Sequence, residues 1–148
     1  MASTLTTAEV RQYVAQAIDT ALSASGWQES TVPFDVFGSL ESDNLAHKSY
    51  AVGCPSSSPY QQDRQRPARL PTETTVGIRW AYNLAALEQI ESYDSALDAE
   101  HSILTAIMAA QRGAGIHLVF GSASRQVDPD GWALGSISLR AHHLLNLT

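Results

Sequence analysis

The chain has 148 residues, of which 44% are hydrophobic and 16% are charged, and its formal net charge is −6. This length and apolar content fit one domain with a core of ordinary size, and the acidic balance excludes a protein held to nucleic acid by overall charge attraction. The single cysteine, Cys54, excludes an internal disulfide and a zinc site built from paired cysteines.

The N-terminal part of the chain predicts one amphipathic helix. Thr6 and Glu9 have the spacing of a capping box, in which each side chain satisfies a free amide of the first helical turn. Apolar residues then recur at intervals of three and four as far as Leu22, and Gly26 is a good stop signal. This pattern predicts a surface helix that packs one side on a sheet.

The start of the sequence lacks the basic residues and apolar run of a secretory signal. No apolar stretch approaches the roughly 20 residues that span a bilayer. We therefore expect the protein in the cytoplasm when it is made.

The next third of the chain predicts two short strands and a long loop. Residues 33–37 are apolar after a proline, which suits an edge strand, and residues 48–53 alternate in polarity. From about Cys54 to Thr72 the composition turns to Ser, Pro, Gln and Arg, and residues 55–59 contain two prolines around three serines. This composition predicts a long flexible loop at about 54–72.

Strong alternation of apolar and polar residues over 75–84 predicts a strand. Residues 92–95 then supply a cap and negative charge for a second helix, which Gly113 and Gly115 end. This helix carries an apolar stripe on one side, which indicates that it also packs on the sheet.

The last third predicts a long β-hairpin. Two β-prone runs, 117–127 and 132–147, flank the turn-forming residues 128–131, and Gly135 suggests a local bulge in the second arm. The whole pattern predicts a single α+β domain over residues 1–148. We expect a mixed, mostly antiparallel sheet of about four to five strands, two helices on one face and a long closing hairpin.

The histidines are the best candidates for chemistry. His117 and His142 approach one another if the hairpin pairs in register, whereas His143 points to the opposite face, and no acidic ligand stands beside them in the strand. Solvated or interface histidines are the simpler interpretation. Asp94 and Asp98 fit a helix start rather than a catalytic carboxylate pair. With no nucleophile or nucleotide motif present, we expect no enzymatic activity, no metal and no cofactor.

The predicted loop concentrates positive charge in Arg64, Arg66 and Arg69. It is either a solvated insertion or a segment that becomes ordered against an acidic neighbour, which could be another copy, a partner ring or the phosphates of passing DNA. Trp27 and Trp132 are candidate interface anchors, because aromatic residues often dominate interface energy, and core-edge positions are the alternative.

Three stretches resemble the tail terminator proteins of long-tailed bacteriophages, the minor tail protein U type. They are the helix 6–22, the strand 75–84 followed by the acidic helix start 93–100, and the closing hairpin 124–139. The hairpin is similar to that of the family in its acidic turn, Asp128 and Asp130, and in its tryptophan. Residues 39–71 match nothing in the family pattern, so the role of the arginines is outside the resemblance.

The resemblance implies a virion structural protein. Such a subunit forms a hexameric ring that caps the tail tube protein, stops tail elongation and meets the head-tail connector, or stopper, protein, while the genome DNA passes through without sequence-specific binding. It implies the tail-neck region of the virion, after assembly in the host cytoplasm, and no membrane partner. Asp128, Asp130, Trp132 and the loop arginines are the expected contact residues. Another neck or tail-tube subunit, or a small ligand-binding or hydrolytic domain near His117 and His142, are the alternatives.

Overall fold

The computed structural model describes residues 4–60, 70–84, 89–110 and 115–145. Within these ranges the chain forms six strands and three α-helices, which confirms the predicted α+β class. Among these residues, no helix is both long enough and apolar enough to cross a membrane. In chain order the elements are β1 (Thr4–Leu5), α1 (Thr7–Leu22), β2 (Gln28–Glu29), α2 (Phe34–Phe37), β3 (Ser49–Pro59), β4 (Leu70–Asn83), α3 (Gln89–Ala110), β5 (His117–Val127) and β6 (Trp132–Leu145).

The strands form one mixed sheet in which β6 is central. The order is β2-β3-β4-β6, and the far side of β6 pairs with both β5 and β1. All pairings between long strands are antiparallel. The two-residue strands are parallel to their partners, β1 to β6 and β2 to β3. The predicted mostly antiparallel sheet and closing hairpin are therefore confirmed.

The helix α1 begins as the sequence predicts. The Glu9 amide donates to Thr6 Oγ1 at 3.1 Å, and the Thr6 amide donates to Glu9 Oε1 at 3.0 Å, so the capping box is complete. A 3₁₀ turn follows Leu22, and Gly26 then reverses the chain with a φ of 91°, a backbone conformation that disfavours residues with a Cβ atom.

The helices α1 and α3 cover one face of the sheet, called here the helix face. Its core is apolar, with Trp80 and Tyr50 as its largest fully buried side chains. The helices contribute Val10, Val14, Ile18, Ala96, Ile103 and Ile107, and the long strands contribute Val52, Val76, Ile78, Leu118, Ile137 and Leu139. The predicted packing of both helices against a sheet is confirmed.

The opposite face, called here the back face, is partly covered by the segment between β2 and β3. Phe34 of this segment lies against Gly53 and Gly77, where a Cβ atom on either glycine would overlap its ring. Arg79 holds Phe34 in this position through two contacts. Its Nη1 donates to the Phe34 carbonyl at 2.7 Å, and its guanidinium carbon lies 4.0 Å from the centroid of the Phe34 ring. Residues 33–37 are therefore not the predicted edge strand, because Phe34 fills a notch on a sheet face.

The predicted loop from Cys54 to Thr72 is wrong at both ends. The strand β3 continues as far as Pro59, and the strand β4 already begins at Leu70. The two strands pair along this stretch, from Ser56 opposite Thr75 to Pro59 opposite Thr72. The pairing of β3 with β4 shifts its register between Gly53 and Ser56, and this shift accommodates Pro55. The strand β2 pairs only with the start of β3, so the rest of β3, including Pro59, is an edge strand. A proline is tolerated there because an edge strand has no outer partner that needs its N–H. Residues 61–69 lie outside the described ranges.

Two further predictions about element details are wrong. The helix α3 is already formed at Gln89, so residues 92–95 are not its cap as predicted. Ser95 and Ser102 lie inside the helix, where their hydroxyls donate to the carbonyls of Glu91 and Asp98, each at 3.0 Å. The bulge predicted at Gly135 lies instead across the hairpin, between Phe120 and Ser122 of β5. Gly135 stays in register, because its missing side chain makes room for the indole of Trp80.

Candidate functional site

The strand register brings an acid and two histidines together on the back face. His142 of β6 lies opposite His117 of β5 on one side and opposite Glu73 of β4 on the other. His142 Nε2 lies 2.8 Å from Glu73 Oε2, and the ring centroids of His117 and His142 are 6.1 Å apart. An ionised carboxylate only accepts hydrogen bonds, so the imidazole donates from Nε2. The carboxylate thus orients His142.

Tyr60, just after β3, covers this pair. Its ring stacks on that of His142 with 4.2 Å between centroids and an interplanar angle of 6°. Tyr60 is 39% exposed, so the stack is open to solvent. An oriented imidazole beside an aromatic ring can act as a proton acceptor or hold a polar ligand, and this is the chemistry that the cluster offers.

The sequence predicted the approach of His117 to His142 but missed Glu73. The structure brings the two histidines together as the hairpin register required. Glu73 was missed because it lay between the predicted loop, which ended at Thr72, and the predicted strand, which began at Thr75. In the structure it belongs to β4 and contacts His142, 69 residues later in the chain. The signal that could have found it is the alternation of β4, which already begins at Leu70.

His143 points to the helix face and belongs to a buried polar chain. Thr74 Oγ1 lies 2.8 Å from His143 Nε2 and 2.9 Å from Ser57 Oγ. Thr74 is fully buried and His143 is 5% exposed, so a substrate cannot reach them. Within the described residues no carboxylate forms a hydrogen bond with His143 Nδ1, so the group that orients a catalytic histidine is missing from this part of the chain.

Burial lowers the pKa of His143, because desolvation disfavours the imidazolium, and His142 beside it acts in the same direction, although the Leu144 backbone opposes them. Since the folded state then binds fewer protons than the unfolded state, stability is lost as the pH falls below the unfolded value of about 6.5. We expect the urea midpoint to fall between pH 7.5 and 5 and the His143→Phe variant to flatten that slope.

The control for this pH prediction is Thr74→Val, which removes the hydrogen bond but keeps the titrating imidazole. It should lower stability by about 1 kcal/mol at every pH while retaining the slope. A wild-type slope in the His143→Phe variant would contradict the assignment to His143.

Four openings in the described surface lie away from the histidine cluster. Four openings lined by described residues have volumes of about 330, 430, 310 and 340 Å³, and none of these four is lined by Glu73, His117 or His142. In the described part of the chain, no group of three or more His, Cys, Asp or Glu side chains is arranged to hold a metal ion.

The predicted contact residues of the hairpin turn have internal roles in the structure. Ser42 Oγ donates to Asp130 Oδ2 at 2.7 Å and lies 3.3 Å from Asp128 Oδ2, so the acidic turn fastens the segment that covers the back face. Trp132 is 8% exposed and packs with Phe37 and Ala81. This is the core-edge position that the sequence left open as the alternative, and a role for Trp132 at an interface remains a prediction.

Two other predicted contact sites have different outcomes. Trp27 is 3% exposed within the helix-face core, a position that agrees with the alternative of a core residue. Arg64, Arg66 and Arg69 lie outside the described residues.

A second charged cluster joins α3 to the edge strand β5 on the helix face. Glu100 accepts from Arg125 Nη2 at 2.6 Å and Nε at 2.8 Å through one oxygen, and from Trp80 Nε1 at 3.2 Å through the other. Glu100 is 6% exposed, and its hydrogen bond raises the pKa of the Arg125 guanidinium. This ion pair was not predicted, because its residues are 25 positions apart and in different elements.

Comparisons with protein-family models and with curated protein sequences give no match. A solved structure from Akkermansia muciniphila, described as being without its transmembrane region, has a TM-score of 0.42 and 10% identity to this chain. The structural match covers 100% of this chain and 91% of the chain in the solved structure. A likeness this weak carries no argument about function.

Proposed function

We propose that the protein is a virion structural subunit, a tail terminator of the kind found in long-tailed bacteriophages. In this role copies of the chain form a ring that caps the tail tube, stops its elongation and joins the tail to the head connector. The observation that carries the proposal is the sequence resemblance, whose three stretches fold as α1, as β4 with α3, and as the β5–β6 hairpin. The expected location is the tail-neck region of the virion.

The surface of the subunit is compatible with this assembly role. A ring subunit presents two different patches to its two neighbours, because each head-to-tail contact uses unlike surfaces. The sheet has long strands at both sides, β3 and β5, and unlike segments beside them, α2 near β3 and α3 near β5. Such a subunit therefore has distinct surfaces for a preceding and a following copy.

The direct test of this proposal is the oligomeric state of the purified protein. We expect native mass spectrometry to give one discrete oligomer, with six copies as the expected number, and negative-stain images to show closed rings. A tail-tube subunit would instead polymerise into open tubes, and a strictly monomeric protein would contradict the ring.

The arginine segment gives a second test of the same proposal. We expect the triple variant Arg64→Ser, Arg66→Ser and Arg69→Ser to keep its thermal midpoint and to lose at least tenfold in ring formation or tail joining, because the charges that pair with an acidic neighbour are removed. The matched control replaces the neutral residues Gln61, Gln62 and Gln65 by serine. Equal behaviour of the two triple variants would contradict a role for the charge.

A small ligand-binding or hydrolytic domain is the second candidate, and the Glu73–His142 pair is the observation that favours it. The double variant His117→Ala and His142→Ala separates the two proposals. Under the structural proposal it leaves assembly unchanged. Turnover of a p-nitrophenyl ester by the wild type, abolished in this variant, would instead favour the second candidate.

A further inference from the structure

The strand β5 is an edge of the sheet. Its residues 122–127 pair with Ser138 to Ala133 of β6 on one side, and no described strand pairs with them on the other side. The backbone groups that point away from β6 along this stretch can form hydrogen bonds with a further strand. This open stretch follows the register shift at Gly121, so it is regular over six consecutive residues.

The side chains of β5 leave this edge unprotected. Natural edge strands are usually guarded by proline, by lysine or by an inward-pointing charge. Residues 117–127 contain no proline, lysine, aspartate or glutamate, and their one fully charged side chain, Arg125, is held by Glu100 of the same chain at 2.6 Å. The opposite edge strand, β3, carries Pro55 and Pro59. The two edges are therefore unlike, because β3 carries two prolines and residues 122–127 of β5 contain neither proline nor lysine.

The same strand exposes apolar side chains. Phe120 is 44% exposed and Val127 is 53% exposed, and both lie on the helix face of β5, where Ala123 and the Glu100-bound Arg125 stand between them. A groove of about 310 Å³ lies beside Phe120 and Ala123, and its other lining residues are Leu97, Glu100, His101, Leu104 and Arg125. A strand added to β5 would cover this apolar row as well as the backbone edge, since alternate side chains of the added strand would lie on the helix face.

We propose that residues 122–127 of β5 pair with a β-strand of a second copy of this chain, with apolar side chains of that strand over Phe120 and Val127. A second copy is favoured by charge, because Glu100 neutralises the only full charge of β5 and the edges of two copies do not repel one another. The inference rests on the proposed function in that it names the surface by which copies assemble. It does not require the ring to have any particular number of subunits.

The experiment combines variants with hydrogen exchange. Phe120→Lys with Val127→Lys places charge on the apolar row at two exposed positions. Gln12→Lys with Ala21→Lys is the matched control, because both side chains are exposed on α1, away from the β5 edge. We expect the double variant to raise the concentration for half-assembly at least a hundredfold in analytical ultracentrifugation, and the control to leave it unchanged. Thermal unfolding of each variant verifies that the subunit remains folded.

Hydrogen exchange then tests whether the backbone itself is paired. In the assembled wild type, peptides that cover residues 122–127 should exchange at least tenfold more slowly than in the dissociated double variant. Closed rings whose β5 amides exchange at the same rate in both samples would overturn the inference and leave the proposed function standing. Dimers protected at β5 that never close into rings would support the inference and overturn the ring. A chain that stays monomeric at every concentration overturns both.

Discussion

Substitution of Gly135 by alanine should lower the free energy of unfolding by about 3 kcal/mol, the upper end of the usual cost of overpacking a core. A Cβ atom built on Gly135 would overlap the indole of Trp80, which is 1% exposed. The indole cannot move aside freely, because it is enclosed by the helix-face core and its Nε1 donates to Glu100 at 3.2 Å. Valine at this position should abolish the folded state. Urea unfolding followed by tryptophan fluorescence measures both.

The control for this prediction is Ser136→Ala, one residue along the same strand and on the other face of the sheet. It should change stability by less than about 0.5 kcal/mol. A second variant tests the cause directly: in a Trp80→Phe background the overlapping atoms are gone, so the added cost of Gly135→Ala should shrink by half or more. If alanine at 135 costs the same in both backgrounds, the indole is not the obstacle.

The largest electrostatic effect should follow from Arg125→Met. Removal of one partner of a buried ion pair typically costs about 3–5 kcal/mol, because the remaining charge is stranded. Glu100 has only 8% of its side chain exposed, but Arg125 has 38%, so water can partly replace the guanidinium. We therefore expect a loss of about 2 kcal/mol, which is below that range.

Arg11→Met is the matched control for Arg125→Met, because Arg11 lies 2.8 Å from Glu29 in an ion pair whose side chains are 36% and 41% exposed. That pair should contribute less than about 1 kcal/mol. The double variant Arg125→Met with Glu100→Gln should recover part of the loss, since no stranded charge remains. Equal costs for the two arginines, measured by urea unfolding at low salt, would contradict the difference in burial.

Features coded by neighbouring residues could be predicted from the sequence. The capping box of Thr6 and Glu9, the strand that contains residues 75–83 and the turn at 128–131 depend on local spacing, and each forms as expected. The α+β class follows from them, because one amphipathic helix and alternating strands leave few ways to bury the apolar sides.

Features that depend on a distant partner could not be predicted. Phe34 follows a proline in an apolar run, which suits an edge strand, yet its position is decided by Gly53 and Gly77, two glycines on neighbouring strands. Gly135 was interpreted as a bulge for the same reason: its partner, Trp80, is 55 residues earlier in the chain. A glycine in a strand indicates that something approaches closely, but not what it is.

The candidate site divides in the same way. The approach of His117 to His142 follows from one hairpin and was predictable, whereas Glu73 joins them through the pairing of β4 with β6. The Ser42 hydroxyl, 88 residues from Asp130 in the chain, donates to the carboxylate of the acidic turn, and the local pattern did not indicate this contact. Sequence spacing does not show which polar groups a distant segment will use.

The central position of β6 has a consequence for how the protein is made. A ribosome delivers strands in chain order, and β6 is the last of the described strands, yet β1, β4 and β5 all pair with it. In the nascent chain, β1, β4 and β5 therefore remain without this partner strand until β6 has been synthesised. The contacts of β1 and β4 with β6 join residues far apart in the sequence, and such contacts form slowly. Until β6 emerges, β5 has no partner strand, so the edge that we propose for pairing with a second copy is completed only late in synthesis.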